Sequence, residues 1–594
     1  MKTQNSIATT TNPNTLAARL RNACAARLVP LLLLLALPAV VQAQFNYKNT
    51  GGKITITKYT GTGGAVTIPS TINGLPVIAI GTNAFASCIT ITSVTIPSGV
   101  ITIGDYAFYS CTYLTSASIP NSVTIIGNSA FQGCSSLGSV TIPNSVTSIG
   151  DAAYYSCINL TSVSIGNGVT SIGDSTFYSC ISLTSVTLGN KVTSIGPLAF
   201  YSCTSLTGVT IPNSVITIGN YAFEYCQSLT SVTIGNSVAS IGTSAFYSCN
   251  SLTSVTMGYS VTTIGGYAFA SCVSLASVAI PNSVTTIGSY AFASCVSLAS
   301  VTIPNSVTSI GDFAFSQCNN LTGVAIGNGV TRINRAFLGC NSLIAITVDP
   351  NNPAYSSLGG VLFDNEQTTL VAFPPGRAGS YVLPNGVTSI GVYAFESCPK
   401  LTSVTMPNSV TAIGDYAFSG CTGLTGLTLS GSLTTIGSYA FSGCIGLTIV
   451  TFPSSLTTIG NYAFSGCSSF TGAYFQGNAP SLGGSNVFRG DNNLTVYYLP
   501  GTTGWGTTFG GRPTKLWNAL IQTSGPSFGV RTNAFGFNII GTTNIPILVE
   551  ASTDLGEAKW TSLQSCTLTN GLIYFSDKTW INYPARYYRV RLPY

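Results

Sequence analysis

"VTTIGGYAFASCVSLASVAIPNS", Val261 to Ser283, is followed at once by "VTTIGSYAFASCVSLASVTIPNS", Val284 to Ser306. Two of the 23 positions differ: Gly266 against Ser289, and Ala279 against Thr302. The cysteine inside this unit recurs at Cys88, Cys111, Cys134, Cys157, Cys180, Cys203, Cys226, Cys249, Cys272, Cys295 and Cys318, always 23 residues apart. Cys340 comes one residue early, and after a gap of 58 the spacing of 23 resumes through Cys398, Cys421, Cys444 and Cys467. An aromatic stands three residues before almost every one, from Phe85 to Phe464. A period in the twenties marks a solenoid, whose single units bury their apolar faces only against stacked neighbours.

One unit, Asn305 to Ile326, shows how a coil is written. Val324 and Ile326 alternate with outward residues and predict a short strand with one buried face. Pro-Asn-Ser or Gly-Asn-Ser then turns the chain. Val307 and Ile310 supply a second inward pair, and Gly311 permits a sharp bend. Asp312 is placed to cap a short helical turn, "FAFSQC", with Phe315 and Cys318 pointing into the coil. Asp105, Asp151, Asp174 and Asp415 share the register of Asp312. Asp151 and Asp174 lie on adjacent coils, as a glycosidase pair would, but their common register at a helix start favours capping.

The residue between the two inward strand positions faces out. It is Thr141, Thr187, Thr210, Thr233, Thr256 and Thr302 in successive or nearby coils, with serines such as Ser139, Ser162 and Ser185 two residues earlier. Such rows either reflect the suitability of threonine for a solvated strand or form a rigid, uncharged binding surface on which many weak contacts add. Rows of tyrosine (Tyr106, Tyr221, Tyr267, Tyr290, Tyr416, Tyr439 and Tyr462; Tyr109, Tyr178, Tyr201 and Tyr247) suit recognition and packing between coils equally.

The pattern CxxLxxVxIPxSVTxIGxxAFxxC resembles the BspA-like class of bacterial leucine-rich repeats over about residues 52–517. The opening "ITITKYTGTGGAVTIPSTINGLPVIAIGTNAF" and the closing "VYYLPGTTGWGTTFGGRPTKLW" are similar to the ways that family begins and ends its arrays. The resemblance implies a right-handed α/β solenoid with a parallel sheet on its concave side. It also implies an exported or surface protein that binds proteins, matrix or other cells. The expected fold class is an α/β solenoid of 23-residue coils followed by a small antiparallel β domain. The expected segments are a signal peptide at 1–43, an N-terminal cap at 44–80, the array at 81–517 and the β domain at 521–594.

Between Cys340 and Cys398 an irregular insert, 348–384, breaks the pattern with a hairpin whose turn is Asp364-Asn365. Tyr355, Asp364, Glu366 and Arg377 bring to it functional groups that the repeats lack, either as a structural insertion or as a binding loop.

Composition narrows the chemistry. Of 594 residues, 45% are hydrophobic, 6% are charged and none is histidine, which removes the commonest general base and metal ligand. No catalytic or metal constellation and no cofactor motif stands out. Arg19, Arg21 and Arg27, the apolar run Leu28–Val41 and the site "VQA" before Gln44 read as a leader. Its removal, with Lys2, leaves 17 basic residues against 15 acidic ones, without the basic footprint of nucleic-acid binding and without a transmembrane segment. Cysteines at one register stack with parallel Cα–Cβ vectors about 4.8 Å apart, which does not converge on a disulfide. They are read as small hydrophobes. The expectation is a secreted or surface-exposed bacterial scaffold for adhesion, with protein, matrix or cell-surface ligands. Polysaccharide binding and an ice-binding threonine array are the alternatives.

Overall fold

The computed structural model describes residues 43–542, 545–555 and 559–591. The leader expected at 1–43 lies outside them except for Ala43. The chain divides into two compact units, residues 1–275 and 276–594.

The first unit opens with an antiparallel hairpin, Phe45–Thr50 with Lys53–Tyr59, whose second strand pairs in parallel with Leu75–Ile80. Phe45 and Tyr59 pack on Phe85 and close the core at that end. Each coil then contributes one long and one short strand. The long strands Ser139–Ile142, Ser162–Ile165, Ser185–Thr187, Gly208–Thr210, Ser231–Thr233 and Ser254–Thr256 form a six-stranded parallel sheet. Its register keeps Ser139, Ser162, Ser185, Gly208, Ser231 and Ser254 side by side. Short strands such as Ser171–Ile172 and Ser194–Ile195 form a second parallel sheet.

The fold is the repeat solenoid that the sequence predicts, with one correction. The expected helical turn is absent: the helix among the described residues is a single 3-10 turn at Trp580–Asn582. The corner in its place alternates its bonding. The N–H groups of Tyr106, Phe108 and Ser110 donate to carbonyls of Asn128, Ala130 and Gln132 in the next coil, at 2.9, 2.7 and 2.7 Å. Those of Ala107, Tyr109 and Cys111 turn back three residues. Tyr106 and Ser110 both sit at φ +54°, in the left-handed region, and the same two positions do so in coil after coil. A helix would have satisfied the N–H groups within its own coil. Left-handed residues at two positions four apart shape a corner in which every second N–H points along the stacking direction, and the inter-coil bonds offset the roughly 1–2 kcal/mol cost of each left-handed residue.

Inside, equivalent side chains form columns. Phe85, Phe108, Phe131, Tyr154, Phe177, Phe200, Phe223, Phe246 and Phe269 stack with centroids 4.8–5.4 Å apart. Leucine three residues after almost every cysteine and the paired valine and isoleucine positions complete a core that is almost entirely shut from solvent.

The second unit continues the same construction, interrupted by the insert and ended by the β domain. Tyr355–Leu358, Val361–Asp364 and Thr369–Ala372 run antiparallel in sequence, the last also pairing in parallel with Ser389–Ile390. The expected hairpin is present, and the Gly359-Gly360 turn adds a second one before it. The β domain begins at Ala519–Gln522, slightly before the expected 521. It is built from two antiparallel sheets, centred on Ala534–Gly541 and Ile545–Ser552. It packs on the array: Tyr474, Tyr497 and Trp517 share one core with Phe537, Ile547 and Val549.

Tyr154 is the single tyrosine in the first unit's phenylalanine column, and its buried hydroxyl has no hydrogen-bond partner. Tyr154→Phe is therefore expected to raise stability by about 1–2 kcal/mol, read as a higher urea midpoint. An unchanged or lower midpoint would contradict the orphaned hydroxyl.

Candidate functional site

The long-strand face carries the first candidate surface. Thr141, Thr187, Thr210, Thr233 and Thr256 are exposed in the first unit and Thr302 in the second, while the valines beside them are turned inward or largely covered. Neighbouring threonine columns have their hydroxyls committed. Thr161, Thr184, Thr207, Thr230 and Thr253 donate to carbonyls one coil earlier at 2.8–3.2 Å. Thr124, Thr147, Thr193 and Thr262 do so beside the short strands at 2.9–3.3 Å. Thr141, Thr187, Thr210, Thr233, Thr256 and Thr302 make no such bonds among the described residues, so their hydroxyls are not consumed by the fold; Thr347, further along the same register and beside the insert, does donate to Val324 O at 3.2 Å.

The acidic register is structural, in a manner different from that expected. Asp105 Oδ1 accepts from Asn128 N at 2.7 Å, Asp151 Oδ1 from Asp174 N at 2.8 Å, and Asp415 Oδ1 from Ser438 N at 2.7 Å. These carboxylates cap the next coil, not a helix of their own. Burial first, and the Asp151 charge second, raise the pKa of Asp174. The tyrosines also pack on each other. Tyr155, Tyr178 and Tyr201 stack at 4.6 Å, and Tyr416, Tyr439 and Tyr462 at 4.7 Å, so ring faces are largely occupied.

In the insert, three of the four singled-out side chains tie the segment down. The Tyr355 hydroxyl accepts from Ile333 N at 3.2 Å and donates to Thr331 O at 3.4 Å. Asp364 accepts from Thr368 N, Thr369 N and the Thr368 hydroxyl at 2.7–3.0 Å. Burial opposes its charge, but these hydrogen bonds outweigh burial and hold its pKa below the usual range. Arg377 donates to Gly359 O at 2.7 Å. Of the four, Glu366 alone is exposed.

A model of the BspA type leucine-rich repeat region matches residues 65–181, 170–296, 262–378 and 371–495. The chain belongs to this family. Solved structures similar to it include a leucine-rich repeat protein from Bacteroides ovatus, 24% identical, covering 80% of this chain and 98% of that one at a TM-score of 0.40. A leucine-rich cell surface protein from Faecalibacterium prausnitzii is 27% identical, with coverages of 77% and 93% and a TM-score of 0.31. The pneumococcal vaccine antigen PcpA is 17% identical, with coverages of 77% and 92% and a TM-score of 0.30. Curated proteins give no match. The chain is thus a leucine-rich-repeat scaffold of the BspA type. Among its described residues no helix is long and apolar enough to cross a membrane.

Two departures from the BspA-type repeat escaped the reading of the sequence. The first bridges the insert. The insert's coil replaces the corner with Phe373-Pro374-Pro375-Gly376, and proline has no N–H for the alternating bonds. Arg335, from the coil before, reaches Glu396, from the coil after, at 2.6 and 2.9 Å in a bidentate pair. Its guanidinium lies 4.5 Å from the Phe313 ring and 4.1 Å from that of Tyr393, standing as one rung of the corner's aromatic column. Burial raises the pKa of Glu396, and Arg335 offsets part of that rise. The signal was an arginine at a register otherwise filled by uncharged residues. The second departure is Asp491, in "FRGD", which holds the place of the corner cysteine in "FSGC". It is fully buried, and burial pushes its pKa up to about 7 against the N–H groups of Cys467 and Gly466 and the charge of Arg512.

The thiols are more than small hydrophobes. Cys111, Cys134 and Cys157 donate to the carbonyls of Phe85, Phe108 and Phe131 at 3.0, 3.1 and 3.2 Å, and the pattern repeats along both units. No disulfide joins any of the seventeen described cysteines; Cys88 and Cys566 are half-buried and the rest are buried. Burial raises the Cys180 thiol to about 12 and Cys88 to about 11.

Alkylation of the native protein near neutral pH is expected to modify Cys88 and Cys566 at most. Denaturation without reductant should expose the full set of described thiols in the intact mass. A shortfall removable by reductant would show disulfides and refute the thiol column. For the bridge, Arg335→Ala and Glu396→Ala are each expected to cost about 1–3 kcal/mol in urea unfolding. The double mutant should lose less than the sum, with a coupling above about 0.5 kcal/mol. Additive losses would show that the pair does not act as a unit.

Proposed function

We propose that the protein is an exported, non-catalytic binding scaffold whose long-strand face engages protein, matrix or cell-surface ligands. One observation carries this reading. The rows through Thr141, Thr187, Thr210, Thr233, Thr256 and Thr302 offer exposed hydroxyls that the fold does not use, beside columns in which the threonine hydroxyls are used. The face is nearly uncharged, so it selects by shape, hydrogen bonding and repetition, and many weak contacts on a rigid lattice add. Membership of the BspA-type repeat family supports a scaffold role. Export by the 1–43 leader belongs to the same proposal.

The in-register hydroxyl lattice of the six-stranded sheet also favours a second reading, binding to a periodic solid such as ice. A groove lined by Ser93, Thr95, Ser118, Ser139, Thr141 and Ser164 offers hydroxyls to a polysaccharide.

Capture of partners from the protein's extracellular surroundings tests the leading reading, with wild type compared against Thr187→Lys/Thr210→Lys/Thr233→Lys. The variant should keep its unfolding midpoint and lose at least tenfold in affinity for the captured partner. Undiminished binding by the variant would remove the face from the function. Thermal hysteresis or retention on a glycan array, lost in the same variant, would move the assignment to the second reading or to polysaccharide.

A further inference from the structure

The corner column asks for a hydrogen-bond donor in every coil. Cys421, Cys444 and Cys467 donate S–H to the carbonyls of Phe395, Phe418 and Phe441 at 3.0, 3.1 and 3.1 Å. The next position in that register is Asp491. The match is set by the backbone: Asp491 N donates to Phe488 O at 3.2 Å as Cys467 N donates to Phe464 O at 3.3 Å, and Gly466 N donates to Arg489 O as Gly443 N donates to Ser465 O. The acceptor that this register offers Asp491 is the Phe464 carbonyl. A carboxylate cannot donate to it, and a carboxylic acid can.

Burial outweighs what favours the charged form, the N–H groups of Gly466 and Cys467 and the charge of Arg512. Asp491 is 0% exposed, and neither carboxyl oxygen has a hydrogen-bond partner. The nearby N–H groups of Gly466 and Cys467 are already spent on Arg489 O and Phe464 O, at 2.7 and 3.3 Å. From the preceding coil the titratable neighbour is the Cys467 thiol, held neutral by burial. From the following strand, Arg512–Leu516, the charged neighbour is Arg512. Its guanidinium is engaged by Phe488 O at 3.1 and 2.7 Å and by Asn492 Oδ1 at 3.3 Å. The coil that Asp491 closes carries Tyr497, which shares a core with Trp517 and the β domain.

We propose that Asp491 is a protonation latch. As a neutral acid it closes the last coil through the donor bond that cysteine supplies elsewhere, and as a carboxylate it loosens that coil together with the β domain seated on it. The sign follows from linkage. Once the coil opens, the carboxyl meets water and its pKa falls to the ordinary range near 4, so opening releases a proton. The opening equilibrium then rises about tenfold per pH unit from near 4 up to neutrality and levels off above it.

Hydrogen exchange on the full chain, corrected for intrinsic rates, tests this at pH 5 and pH 7. Amides of residues 487–516 in the wild type should open at least tenfold more at pH 7. Asp491→Asn and Asp491→Cys, which donate at both pH values, should show no such rise, and amides around Phe395–Cys444 should not respond in any form. Equal wild-type protection at the two pH values, or a rise retained in Asp491→Asn, would overturn the latch. Should the variants fail to fold, infrared spectroscopy of the wild type at pH 6 gives an independent reading. A buried carboxylic-acid band that disappears as pH rises through neutrality supports the latch, and its absence at pH 6 overturns it.

Discussion

At the corner of a regular coil the backbone places left-handed residues at two positions four apart, and every second N–H points along the stacking direction. Tyr106, Phe108 and Ser110 reach Asn128, Ala130 and Gln132 by this means. The bond closes only if the next coil presents the same corner at the same height, which fixes the register of everything between corners. Phenylalanine then falls on phenylalanine, cysteine beneath the carbonyl of the previous phenylalanine, and threonine beside threonine. A left-handed tyrosine is costly alone and is retained because its neighbour above supplies the partner.

Once the register is fixed, most side chains have no freedom of role. The phenylalanine, alanine, leucine and valine columns are buried, the thiols are bonded to carbonyls, and two threonine columns are bonded to the preceding coil. The outward column of the long strands escapes these demands. At its far end in the second unit, Tyr474 and Tyr497 replace threonine in the same register, and the β domain covers them. Within one chain, the same surface position serves a solvent-facing hydroxyl row and a protein contact, and aromatic side chains mark the contact.

The period of 23 and the inward pattern of Val307, Ile310, Phe315 and Cys318 are legible in the sequence because core burial repeats with the coil. The outward threonine row is legible by simple alternation. The corner is not. "DYAFYSC" has the spacing of a capped helical turn, and what decides against a helix is the presence of a carbonyl one coil away, invisible to any local window. The same non-locality turned Asp105 and Asp151 from caps of their own coil into caps of the next. In the insert, Tyr355, Asp364 and Arg377 stood out by chemical type, which did not reveal that they are spent on Thr331, Thr368 and Gly359. Arg335 and Glu396, 61 residues apart, were legible only as intruders in their columns.

Charge is scarce at 6% of residues, and in the second unit it gathers where the repeat is broken. Arg335 and Glu396 span the insert, and Glu550 binds Arg589 and Arg591 in the β domain. A regular coil inherits partners for its corner N–H groups from its neighbours and needs no charge there. A broken coil leaves groups unpaired, and a bidentate or partly buried ionic contact is among the few interactions strong and directional enough to restore register across the gap. Such contacts also respond to pH and salt, which stacked phenylalanines do not. In an array of near-identical coils, the breaks are therefore where conditions outside the protein can act on its structure.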